Sequence, residues 1–231
     1  MKRFPIYILV GVSGSLIEEK TDKIKDCLEI LKEELLCGVL TRSSFVTIIL
    51  FNSTAEVAMR MMPLRNLQIP NLQVSGGGEH SFADAIDTLM QCYDADTIKR
   101  VMSPDNYDTA DRESMLFVIS DGVFAKKPEA LQVIGKFNSK YSRKFTNACC
   151  VCVHASSASK EDRTLRCENL RHLVEAMFRD VIEQENNLPE FMKNTFDVDD
   201  LSPAAYASLR ACQYMESIGK ACDFSVFTIP Y

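Results

Sequence analysis

Residues 6–15 read Ile6-Tyr7-Ile8-Leu9-Val10-Gly11-Val12-Ser13-Gly14-Ser15. From Tyr7 to Val12 no position is charged, so a strand here is covered on both faces, as in the interior of a parallel sheet. Ser13-Gly14-Ser15 then breaks the run. A helix follows through Leu36, because Ile24, Leu28, Leu31 and Leu35 recur at i, i+4, i+7 and i+11 and form one stripe. Cys37-Gly38 closes it. A buried strand, a tight turn and an amphipathic helix make one half of a β-α-β unit.

The same alternation recurs along the chain. Phe45–Phe51, Met115–Ile119 and Ala148–His154 are three more apolar runs of strand length, and Ala55–Met62 reads as a short antiparallel edge strand. Pro63 to Gly78 reads as loop. Ser81 is placed to cap a helix whose stripe is Phe82, Ile86, Leu89 and Tyr93. Pro128 opens a helix containing Leu131, Ile134 and Phe137. A longer helix carries Leu170, Leu173, Val174, Met177 and Val181. Thr195–Val198 reads as a last strand, and Ser202-Pro203 opens a final helix. The tail from Asp223 to Tyr231 has no assigned element. The pattern predicts one domain over residues 1–231, an α/β doubly wound, mostly parallel sheet with helices on both faces. In such sheets ligands meet the carboxyl ends of the strands. Three segments converge there: Gly11–Ser15, Gly76–Ser81 and Ser120–Gly122.

Composition narrows the function. The 231 residues carry a net charge of −6, which weighs against nucleic acid as a partner. Met1-Lys2-Arg3 before an apolar run looks like a signal peptide, but the run is short, carries Pro5 at its mouth and leads into charged residues. It reads as a strand. No run is long enough for a transmembrane helix, so no membrane partner and a cytoplasmic location are expected. The nine cysteines form no zinc-type pair, and they read as reduced, buried small hydrophobes. Alternation sends Cys150 and Cys152 to one face of a strand and Cys149 to the other.

The three converging segments carry a family pattern. The opening through Ser13-Gly14-Ser15-Leu16, the loop Gly76-Gly77-Gly78-Glu79-His80-Ser81, and Met115-Leu116-Phe117-Val118-Ile119-Ser120-Asp121-Gly122 together resemble a von Willebrand factor A (vWA) domain. More closely they resemble the bacterial TerY-like tellurite-resistance group. The resemblance covers most of residues 1–154, and the part from about 155 matches poorly. It implies a metal-ion-dependent adhesion site holding Mg²⁺ through Asp-x-Ser-x-Ser, a Thr and an Asp. Ser13, Ser15 and Asp121 keep that pattern. Gly11 replaces the first Asp, and the Thr position falls on His80 or, counted without a gap, on Glu79. The loss of one carboxylate and the poor match of imidazole to Mg²⁺ predict a degenerate site with weak or absent Mg²⁺ and no other cofactor.

The resemblance further implies a non-catalytic adaptor in a stress or tellurite-resistance system. Its partner would be another protein, a protein kinase or a metal-dependent phosphatase, contacted through Ser13, Ser15, His80 and Asp121. A variant of this reading captures an acidic or phosphorylated peptide at the helix start. A second reading is a serine hydrolase using Ser13, Asp121 and His154, since Gly11-x-Ser13-x-Ser15 nearly matches a nucleophile elbow. Against it, the elbow begins the chain and its last glycine is Ser15. Purely structural roles compete with both readings. Ser13 and Ser15 suit a helix cap, Asp121-Gly122 suits a turn, His154 suits a hydrogen-bonded interior position and His172 suits the surface.

Overall fold

The computed structural model describes residues 3–12, 18–37, 41–72, 80–101, 111, 113–125, 128–154, 157–180 and 224–229. In chain order the elements are β1 (Phe4–Gly11), α1 (Glu18–Cys37), β2 (Ser44–Phe51), β3 (Ala55–Pro63), α2 (Phe82–Val101), β4 (Ser114–Ser120), α3 (Pro128–Lys140), β5 (Phe145–Val153), α4 (Lys160–Met177) and β6 (Phe224–Ile229). They build one six-stranded sheet in the order β3-β2-β1-β4-β5-β6. The four apolar runs are its parallel centre, with β1 between β2 and β4. The α/β, doubly wound reading of the sequence therefore holds.

Strand alternation assigns the two faces. Ile6, Ile8 and Val10 of β1 pack with Ile24, Leu28, Leu31 and Leu35 of α1 in one apolar cluster. Tyr7 and Leu9 face the other way, with Phe82, Ile86 and Leu89 of α2, Ile134 and Phe137 of α3, and Leu170, Val174 and Met177 of α4. Helices thus cover both faces of the sheet. Each large apolar side chain taken fully out of water contributes about 1.5–3 kcal/mol, which is why the strands are apolar throughout. Cys149 lies in the first cluster and Cys150 and Cys152 in the second, as alternation requires.

The helix ends follow local chemistry. Ser81 Oγ accepts from the Asp84 N–H at 3.4 Å and opens α2. Ser159 Oγ accepts from the Asp162 N–H at 3.1 Å and opens α4, with Glu161 and Asp162 in its first turn. At the end of α1, Thr41 Oγ1 donates to the carbonyls of Leu35 and Leu36 at 3.3 and 2.9 Å.

The antiparallel edge strand is present as expected, and three details add to the sequence reading. Leu131 is 71% exposed, so the buried stripe of α3 is Ile134 and Phe137 without it. The unassigned tail supplies β6, which pairs antiparallel with β5 from Val153↔Phe224 to Ala148↔Ile229. Its residues Phe224-Ser225-Val226-Phe227-Thr228-Ile229 are aromatic, β-branched or Ser throughout, a strand composition that was present in the sequence. At the opposite edge, β3 carries an irregularity in its pairing with β2, where Met61 has φ +46° and its N–H donates to Thr47 Oγ1 at 3.0 Å. The expected strand Thr195–Val198, the helix opened by Ser202, and Val181 lie outside the described residues.

One glycine fixes how α4 meets the sheet. Gly122 has φ +74°, and a Cβ there would lie 2.3 Å from the Arg166 carbonyl oxygen in α4. Only hydrogen at this position lets the two backbones approach. Gly135, inside α3, has nothing within 4 Å of the corresponding point. Gly122→Ala is therefore expected to cost about 2 kcal/mol or more. Gly135→Ala is expected to stabilise by about 0.5–1 kcal/mol. Urea denaturation of the two variants checks the opposite signs, and equal effects would contradict this packing.

Candidate functional site

The strand order reverses between β1 and β4, so the crevice at their carboxyl ends is the switch point of the sheet. Gly11 ends β1 there, and Asp121 follows β4 directly. His80 is brought to the same place by its backbone. The Ala125 N–H donates to the His80 carbonyl at 2.9 Å, the Ser81 N–H donates to the Asn52 carbonyl at 2.5 Å, and His80 forms a parallel bridge with Phe124. The chain before α2 is thereby tied both to the end of β2 and to the chain after β4. Ser13, Ser15 and Glu79 lie outside the described residues.

His80 is buried, at 1% exposure. Its ring packs edge-on against Phe51 at 5.4 Å between centroids and tilted against Phe124 at 6.2 Å. Nδ1 lies 3.4 Å from Asp121 Oδ1 and 3.5 Å from Ser120 Oγ. That geometry asks for a proton on Nδ1, in either the neutral tautomer or the imidazolium. A Cβ on Gly11 would meet His80 Cε1 and Phe51 Cζ at 3.1 Å and Ser120 Oγ at 3.0 Å. The imidazole therefore stands against the space that a side chain at Gly11 would enter. An aspartate at position 11 and a histidine at position 80 compete for that room.

Asp121 is also buried, at 2% exposure. Oδ1 accepts from the Val123 N–H at 3.1 Å and faces His80. Oδ2 faces the Arg166 guanidinium, with Nη1 at 3.9 Å. Arg166 is held in turn by Asp162, one helical turn earlier in α4, at 2.9 Å. Arg166 is not foreseeable from the family resemblance, because α4 follows the segment where that match fades. The signal that could have found it is Gly122, whose required close approach brings α4 onto the Asp121 turn.

Among the described residues, Gly11, His80 and Asp121 are a poor donor set for Mg²⁺. The ion wants an octahedron of oxygens at about 2.0–2.1 Å. Of the two carboxylate positions in the pattern, Gly11 offers none and Asp121 is already engaged by a backbone N–H, an imidazole and a guanidinium. A guanidinium this close also opposes a second cation. His80 and Asp121 were further expected to touch a partner directly. Their burial turns both side chains inward, and the exposed apolar positions beside them are Val123, 40% exposed, and Leu165, 57% exposed. Phe124 is only partly exposed and packs on Phe82 at 5.3 Å between centroids.

His154, expected as a hydrogen-bonded interior histidine, is 2% exposed, and His172 is exposed on α4. His154 Nε2 lies 3.4 Å from Cys167 Sγ and Nδ1 lies 4.0 Å from Cys152 Sγ. Both ring nitrogens face sulfur. A serine-hydrolase triad needs one nitrogen on a carboxylate and the other on the serine, so this geometry does not favour Ser13-Asp121-His154. Hydrogen bonding with Cys167, and then burial, push the Cys152 thiol above its usual range, so it is a neutral thiol near pH 7. Among the described residues no helix is long and apolar enough to cross a membrane.

No protein-family model matches the chain, and no curated protein matches it. Solved structures do show likeness. The manganese-loaded TRAP protein of Plasmodium vivax is 18% identical with a TM-score of 0.46, over 71% of this chain and 62% of that one. BatB of Bacteroides thetaiotaomicron is 13% identical with a TM-score of 0.43, over 74% of this chain and 86% of that one. The ArnB paralog VWA2 of Sulfolobus acidocaldarius is 13% identical with a TM-score of 0.40, over 65% and 34%. The chain thus spans less than two thirds of the TRAP chain.

The competition between positions 11 and 80 is testable by stability. Gly11→Asp alone is expected to cost about 2 kcal/mol or more, since it crowds the imidazole and sets a second carboxylate near Asp121. His80→Thr alone is expected to cost a similar amount. The double variant should be more stable than the sum of the two losses by about 1 kcal/mol or more. Strictly additive losses in denaturant titrations would mean that the two positions do not share this space.

Proposed function

We propose that the chain is a non-catalytic protein-binding domain of the vWA type, similar to the TerY-like group, whose cation site has been closed from within. The observation that carries this reading is Asp121, buried and engaged by His80 and Arg166 where the pattern calls for an open metal ligand. By the resemblance, its partner is a protein kinase or metal-dependent phosphatase of a stress or tellurite-resistance system. A site that cannot lend a metal to a partner's carboxylate must bind by packing and direct hydrogen bonds.

The rim of the crevice offers those means. Val123 and Leu165 present apolar surface, and Arg166, next to Leu165 in α4, is partly exposed and faces Asp121. The Gly122–Arg166 approach puts Val123 and Leu165 each one residue from the same backbone contact. An exposed aliphatic pair beside a partly exposed arginine makes a small patch of this kind. The non-catalytic part of the reading draws on His154. A catalytic thiol–imidazole pair needs its base oriented by a third group, whereas the second nitrogen of His154 meets the Cys152 sulfur.

The test is affinity recovery from native cytosol with tagged full-length chain. Leu165→Glu is expected to lower recovery of the bound protein by about tenfold or more, the effect of losing one anchor. Val57→Glu, at an apolar position on β3 that is 41% exposed, should leave it unchanged. Recovery equal for both variants, with both verified as folded, would move the interface away from this edge.

A further inference from the structure

The thiol–imidazole cluster at the end of β5 has a geometry that interior packing does not require. Cys152 and His154 are two residues apart, so the strand period turns both to one side of the sheet. That side is covered by α4, whose inward stripe runs Cys167, Leu170, Val174 and Met177, at i, i+3, i+7 and i+10. Cys167 is therefore the first member of the stripe, above the end of β5. One ligand atom from each of Cys152, His154 and Cys167 lies within 4.8 Å of the other two. The shortest contact, Cys167 Sγ to His154 Nε2, is 3.4 Å.

We propose that Cys152, His154 and Cys167 form a binding site for a thiolate-preferring d-block cation, Zn²⁺ in particular. Zinc–sulfur and zinc–nitrogen bonds of about 2.3 and 2.0–2.1 Å in a tetrahedron place ligand atoms about 3.6–3.8 Å apart. The ligand atoms, within 4.8 Å of one another, exceed that geometry by about 1 Å at most. Two sulfurs and one imidazole are a donor set for zinc and a poor one for Mg²⁺ or Ca²⁺. Binding breaks the Cys152–Cys167 hydrogen bond and releases the two thiol protons to water, leaving two thiolates on the ion. Three protein ligands leave a fourth position for water or an incoming group, and the partial exposure of Cys167 gives a way in.

The site lies beside the Asp121 crevice, since Cys152 pairs with Ser120 across the sheet. Arg166, which faces Asp121, precedes Cys167 in α4. A metal here would pin α4 to β5 beside the Gly122 contact. The His154 carbonyl is already held from the other face of the sheet, by Lys23 Nζ of α1 at 3.2 Å. The backbone bearing one ligand is therefore fixed before any ion arrives.

The experiment uses the full chain, reduced and freed of metal with a chelator. It is titrated with Zn²⁺ against a chromophoric competitor, and with Co²⁺ as a spectroscopic substitute. The expected result is one equivalent bound at micromolar affinity or tighter, with sulfur-to-cobalt charge-transfer absorption, protection of two thiols from alkylation, and a rise in melting temperature with Zn²⁺. Cys167→Ser should weaken binding by more than the about 10–100-fold seen when only a group supporting a ligand is lost. Cys37→Ser, at an exposed cysteine, should change nothing. Because Cys167 is partly exposed on a helix, its serine variant can be verified as folded before it is used. Wild-type protein that binds no zinc at these concentrations, or binds it equally well after Cys167→Ser, overturns the proposal. So does a Cys152–Cys167 disulfide in a protein that takes no metal once reduced.

Discussion

A carboxylate removed from water must be neutralised, and Asp121 stands at the point of the sheet where little water reaches it. Leaving such a charge unpaired costs several kcal/mol, comparable to much of the stability of a domain. His80 and Arg166 meet that demand from opposite sides. Each depends on a glycine. Gly11 leaves room for the imidazole, and Gly122 lets α4 come close enough to deliver the guanidinium. The edge of the sheet is therefore a set of mutually required choices, in which restoring any one position of the metal-binding pattern disturbs another.

This arrangement changes what the edge can do. A bound cation supplies directional, charge-based attraction to a partner's carboxylate. A buried ion pair supplies rigidity and presents little charge outward. Binding at such an edge rests on exposed apolar side chains such as Val123 and Leu165, and specificity rests on their shape and on Arg166. The cysteine–histidine cluster adds a second control on the same helix. Anything that tightens α4 against β5 also steadies the group facing Asp121.

The fold was legible because burial on two faces leaves a plain mark. Tyr7–Val12, Phe45–Phe51, Met115–Ile119 and Ala148–His154 are apolar at odd and even positions alike, and helical stripes such as Ile24–Leu35 separate them. The strand β6 was missed because its six residues lie within the unassigned tail, and only their pairing with β5 gives them a place. At the site, Gly11, His80 and Asp121 follow from the resemblance to a vWA domain, which implies a weakened metal site. Spacing could not show that His80 turns inward between Phe51 and Phe124, because that depends on contacts among β2, the start of α2 and the turn after β4. Arg166 and Cys167 were invisible for a similar reason. They lie about forty-five positions from Asp121 and about fifteen from Cys152, and a helix docking closely over Gly122 is what unites them.

The central claim is that Asp121 and His80 act as a buried hydrogen-bonded pair. A double-variant stability cycle with Asp121→Asn and His80→Phe tests it most directly, since a phenyl ring suits the aromatic surroundings of position 80. Each single substitution should cost about 2 kcal/mol or more, because it leaves a buried polar partner behind. The two together should cost less than the sum by about 1 kcal/mol or more, because the second change removes the group that the first left unmatched. Losses that add to within about 0.5 kcal/mol would contradict the account and leave Arg166 and the Val123 N–H as sufficient company for the carboxylate.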